Sequence, residues 1–117
     1  RMYLGWRKDH PGLKAGVAFL NEKGPMPGNM YYNYYATQVM RHWEGPEWTK
    51  WNTKMRDWLV RTQDKAGHQN GSWMMSGGHT RAGGRLYCTA MATMILEVYY
   101  RHLPIYGKQA ADEDFPL

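Results

Sequence analysis

The sequence has 117 residues, enough for one domain or part of one, and a formal net charge of +5. No apolar run approaches the roughly 20 residues of a membrane span, and nothing resembles a signal peptide. The single cysteine, Cys88, excludes an intramolecular disulfide, and the basic residues stand singly apart from Arg7-Lys8, which argues against nucleic acid as a partner.

The first residue is Arg1 rather than a start methionine, so the sequence is expected to be a processed or trimmed chain. Six Trp, nine Tyr and nine Met stand beside only two Phe. Tyr and Trp join a large apolar area to a polar handle, and Met fills irregular gaps, so this set suits crowded helix interfaces or cavity walls. A generously aromatic core is the plainer of those two readings.

Residues 1–6 read as the end of a helix whose beginning is missing, with Gly5 where a helix stops. Pro11 suits a first helical turn, and Leu13, Val17 and Leu20 keep helical spacing until Gly24, Pro25, Pro27 and Gly28 break the chain. This predicts helix A at 11–22. Asn29 can cap helix B at 30–43, where Tyr31, Tyr34, Tyr35, Gln38 and His42 form one stripe and Ala36, Val39, Met40 and Trp43 another. A helix apolar on more than one face is expected inside.

Helix C, at 46–65, opens with Pro46 and Glu47. Trp48, Trp51, Met55, Trp58, Leu59 and Thr62 trace one of its faces. Charges hold the other, with Asp57 and Arg61 spaced to pair at i, i+4, so this helix is expected outside. Residues 66–84 contain six glycines and read as a loop. Helix D, at 85–103 and ended by Pro104, carries only Arg85, Glu97 and Arg101 as charges and is expected to be the most buried. Buried carboxylates are costly unless paired, so Glu97 is expected to pair with Arg101 one turn on, with Arg85 as another partner where neighbouring elements allow. Residues 107–117, with Asp112-Glu113-Asp114, read as a solvated tail.

Two outer–inner hairpins in succession invite a search for a repeat. Phe19-Leu20 of helix A matches Trp58-Leu59 of helix C, and Tyr34-Tyr35-Ala36 lies over Cys88-Thr89-Ala90, the glycine-rich loop accounting for the different offset.

Arg56-Asp57-Trp58-Leu59, then Gln63, then Gly71-Ser72-Trp73 resembles the QW repeat of triterpene cyclases, with the Gly-x-Trp set later than the family spacing. The resemblance implies a structural role: the Gln63 amide caps backbone at a helix end and lies against the Trp73 ring, tying an outer helix to the next inner one. Tyr31-Tyr32-Asn33-Tyr34-Tyr35-Ala36-Thr37-Gln38 and Gly83-Gly84-Arg85-Leu86-Tyr87-Cys88-Thr89-Ala90 look like a bacterial group of squalene-cyclase-like repeat proteins. Over residues 1–106 the resemblance implies an all-α fold of helical hairpin repeats, forming an arc of an α/α toroid of the terpenoid cyclase and prenyltransferase type. It implies the C-terminal portion of such a ring, with 107–117 as a tail.

The chemistry of those enzymes has no counterpart here. Cyclases of this kind protonate an alkene with an Asp-x-Asp-Asp acid, held in a dry aromatic pocket, and no such motif occurs. Prenyltransferases bind zinc through Asp, Cys and His, whereas Cys88 has no Asp nearby in sequence and His68 and His79 have no second ligand motif. The Cys-Gly-Glu-Gln thioester of complement-type domains is excluded, because Cys88 is followed by Thr89-Ala90-Met91. No cofactor or metal is expected, and no residue is assigned as catalytic.

Tyr34, Tyr35, Gln38 and Tyr87 are candidates to line a central cavity. Arg85 is another, since it follows Gly83-Gly84 at an inner-helix start where backbone donors can hold an anion. Trp58, Gln63, Gly71 and Trp73 form the QW-like structural set, and Glu97 with Arg101 the ion-pair candidate.

Three functions fit. The first is a non-catalytic toroid module that binds a protein partner or an apolar, isoprenoid-like ligand. The second is the C-terminal part of a cyclase-like or prenyltransferase-like enzyme whose catalytic motif lies upstream. The third is a structural repeat segment of a larger envelope-associated protein. An arc of a ring bares apolar side faces, and such patches seldom stay uncovered, so self-association is expected.

Overall fold

His10 accepts a hydrogen bond through Nδ1 from the backbone N–H of Gly12 at 3.0 Å, and with Pro11 in the first turn this starts α1 (Pro11–Lys23). The computed structural model describes residues 1–98, and every regular element among them is helical. A short 3-10 helix, Met2–Leu4, precedes α1 and ends on Gly5 at φ 82°, a left-handed stop that suits glycine.

Asn29 caps α2 (Met30–Trp43), its Oδ1 accepting from the Tyr32 N–H at 3.0 Å. The helix ends at Glu44, whose φ of 65° reverses the chain into α3 (Gly45–Thr62). The Glu44 carboxylate is held there by Lys8 at 3.2 Å and Arg41 at 4.0 Å. Along α3, Trp48, Trp51, Met55 and Leu59 are buried at helical spacing, and the charged face points to water. The helix stops at Thr62 rather than at 65, where Gln63 turns extended, and the Thr62 hydroxyl donates to the Trp58 carbonyl at 2.8 Å. Asp57 pairs with Arg56 at 2.9 Å, not with Arg61.

The last helix, α4 (Gly78–Leu96), begins earlier than the glycines of 66–84 suggest. Thr80 is buried and donates its hydroxyl to the Gly77 carbonyl, forming a first turn that the sequence pattern hides. The expected break survives as a kink at Gly84, where φ is 63° and ψ −158°. It lets Tyr87 press on the preceding turn: a Cβ on Gly83 would lie 2.5 Å from the Tyr87 Cβ. A second 3-10 turn, Gly67–Gln69, lies in the loop between α3 and α4.

Helix α1 packs beside α3, and α2 beside α4, with α2 also touching α1 and α3. The result is a slab whose extents are 47 × 37 × 24 Å, the thin direction being about two helix diameters. Helix α2 sits at the centre of the packing, as expected of helix B. The expectation that helix D is the most buried does not hold over the described residues. Six residues of α2 are buried, whereas Leu86 of α4 is 84% exposed. The core between the layers contains Trp51, Met30, Met40, Met55 and Leu59, each at most 2% exposed, and burying each is worth roughly 1.5–3 kcal/mol. Arg101, the far end of helix D and the tail fall outside the described residues.

Candidate functional site

Three helices cover α2, yet one of its edges stays open. Tyr31 and Tyr35, one turn apart, are 52% and 49% exposed, with ring centroids 4.8 Å apart. Tyr34 meets Tyr35 edge-on at 5.0 Å. A groove of about 430 Å³ runs along this edge between α1 and α2, walled by Leu20, Tyr31, Tyr32, Tyr35, Ala36 and Val39. A second, of about 460 Å³, continues from Tyr35 and Val39 towards the chain start. Leu13, Met2 and Tyr3 add apolar wall there, and Gln38, His42 and Arg1 supply the polar end.

The polar groups at that end are arranged. The buried His42 ring meets the Tyr3 ring edge-on, and its Nε2 lies 2.8 Å from the Tyr3 hydroxyl. The Arg1 guanidinium lies over the Trp6 ring at 4.8 Å. At the other end, the Lys23 ammonium sits over Phe19 at 5.2 Å and over Tyr32 at 5.9 Å. The hydrogen bond to Tyr31 and the neighbouring hydroxyls hold the Tyr35 phenol above its ordinary pKa. Burial does the same for Tyr32, whose hydroxyl donates to the Gly24 carbonyl at 3.1 Å.

The residues singled out from sequence therefore fall in separate places. Tyr35 and Gln38 line the groove, with Tyr34 against Tyr35. Tyr87 lies on α4, where burial, Cys88 and Tyr31 raise its pKa and its hydroxyl is buried without a hydrogen-bond partner among the described residues. Arg85 is engaged elsewhere. It is paired with Asp64, and donates to Ser72 Oγ at 2.9 Å and to Gln69 Oε1 at 3.0 Å, so its charge is met inside the 63–73 loop.

That loop is a hydrogen-bonded unit. Gln63 donates through Nε2 to the Gly71 carbonyl at 2.9 Å, and the buried Trp73 donates its indole N–H to the Leu59 carbonyl at 2.9 Å. Trp58 is half-buried on the α3 face. The Leu59 carbonyl near the α3 C-terminus thus accepts both the Gln63 backbone N–H and the Trp73 indole, while the Gln63 side chain closes the loop on Gly71. Glu97 caps α4, half-buried, and its expected partner Arg101 is outside the described residues. Cys88 is buried, and among the described residues no three His, Cys, Asp or Glu side chains converge as a metal site needs.

Comparison with protein families, with curated proteins and with solved structures finds no match to this chain. The groove was partly readable beforehand, since Tyr31, Tyr35, Gln38 and His42 share a helical stripe. Met2, Tyr3 and Leu13 carry no such signal, because only tertiary packing brings them to α2.

Proposed function

We propose that this chain is a non-catalytic helical module that binds a protein partner or an apolar ligand through the open edge of α2. Its framework is an arc of the α/α toroid type that the QW-like motif resembles. The observation that carries this reading is the row Tyr31, Tyr35, Val39 along a continuous apolar groove, on a helix whose other faces are covered. Burying the exposed half of each tyrosine would contribute about 1–2 kcal/mol. Apolar ground of this kind at the surface marks binding sites in preference to inert surface.

Native mass spectrometry before and after organic extraction, on the wild type and on Tyr35→Glu, tests it. The expected result is an assembly or an extractable apolar mass in the wild type, lost in the variant. Tyr35 is outside the core, so the variant should fold. A bare monomer at micromolar concentration, unchanged by Tyr35→Glu, would count against the reading.

A further inference from the structure

The groove is a trough open along one side, and its ends are charged alike. Lys23 stands at one end against Tyr32, and Arg1 forms part of the wall at the other. Among the described residues neither has a carboxylate partner, and no Asp or Glu lines either half of the groove. Two of the acids nearest in sequence are held by other cations, and the third is set apart by its place on α1. Glu44 is held by Lys8 and Arg41, Asp9 by Arg7, and Glu22 lies one residue before Lys23, about 100° round α1.

We infer that the occupant is an acidic amphipathic helix from a partner protein. This rests on the binding reading above and specifies it. Small-molecule sites enclose most of their ligand, which an open trough does not do, whereas a helix buries only one face. The floor offers Tyr31, Tyr35 and Val39 at i, i+4 and i+8, a ridge about 12 Å long against which apolar side chains at i, i+4 and i+7 of a partner helix pack. Carboxylates beyond each end of that apolar stripe then meet Lys23 and Arg1. Complementary charge at the ends sets orientation and speeds encounter, while the tyrosine ridge supplies the buried area.

The experiment uses two synthetic, fluorescently labelled helices that share one Leu stripe and differ only in Glu or Lys at both ends. Fluorescence anisotropy is read on the wild type and on Lys23→Glu with Arg1→Glu, with an apolar dye as a third probe. The acidic helix should bind about tenfold or more tightly than the basic one, with the gap shrinking at high salt and reversing in the charge variant. Equal binding, or preference for the basic helix, overturns the inference. Dye binding that Tyr35→Glu abolishes, with neither helix bound, overturns the partner while keeping the groove. Absence of dye binding as well removes the binding reading itself.

Discussion

The indole N–H of Trp51 on α3 donates to Thr37 Oγ1 on α2 at 2.9 Å, and both residues are at most 2% exposed. Thr37 in turn donates to the Asn33 carbonyl at 2.6 Å. The Asn33 amide clamps the Met26 backbone, accepting from its N–H and donating to its carbonyl, each at 2.9 Å. One buried polar chain thus links α3, α2 and the turn before α2. Such a chain is strong when every member is satisfied and costly when one is removed.

Thr37→Val keeps the shape and leaves the Trp51 N–H without its acceptor, at a cost of about 1–3 kcal/mol. Trp51→Phe removes the donor and opens space, costing about 2–4 kcal/mol. Because the two residues touch, the double variant should cost less than the sum by about 1 kcal/mol. Urea unfolding of the four proteins measures this, and strict additivity would show that the bond contributes nothing.

Gly28 and Gly5 have nearly the same φ, 83° and 82°, but different surroundings. A Cβ on Gly28 would lie 2.5 Å from the Ser76 carbonyl oxygen, whereas one on Gly5 meets nothing within 4 Å. Gly5→Ala should therefore cost about 1 kcal/mol for the left-handed conformation alone. Gly28→Ala must also part the α2 and α4 starts and should cost about 2 kcal/mol more. Thermal unfolding of the two variants ranks them, and equal losses would mean that the two helix starts do not press together at Gly28.

Helices A, B and C were legible because their apolar residues recur at helical spacing between strong punctuators, Pro11, Gly24-Pro25, Asn29 and Pro46. The start of α4 was not, since glycine density argues for a loop and only the Thr80 hydroxyl and tertiary packing overrule it. Leu86 shows the limit of reading burial from composition: it sits in an apolar stretch and still faces water. The groove was half legible, through the tyrosine stripe of α2. Its other wall comes from residues far away in sequence, and the role of Arg85 depends on Asp64 and Gln69 reaching it across the loop.

Arg85 is therefore predicted to order residues 63–73 more than it stabilises the chain. Its side chain and that of Asp64 are 32% and 41% exposed, so solvent screening limits Arg85→Ala to about 1 kcal/mol. Removing three side-chain bonds at once should speed amide hydrogen exchange at Gly71 and Ser72, while that of α2 stays unchanged. Arg85→Lys should rescue little, because an ammonium cannot span the three acceptors as the planar fork does. Unchanged exchange at Gly71 and Ser72 in Arg85→Ala would sink this assignment.

The tyrosines set an alkaline limit. Burial holds the Tyr32 phenol above its ordinary value, and burial with Cys88 and Tyr31 does so for Tyr87. Below about pH 10 both are protonated whether the chain is folded or not, so neither gives a slope. Above it the unfolded chain releases these protons first, and stability falls as pH rises through the folded-state pKa values. Tyr32→Phe and Tyr87→Phe should each flatten that fall. At neutral pH their effects should part. Tyr32→Phe loses the bond to Gly24 and costs about 1 kcal/mol, whereas Tyr87→Phe deletes a buried hydroxyl that has no partner among the described residues and should be neutral or slightly stabilising. Denaturant unfolding at neutral pH and again above pH 10 reads both effects. A Tyr87→Phe loss of 1 kcal/mol or more at neutral pH would mean that its hydroxyl has a partner after all.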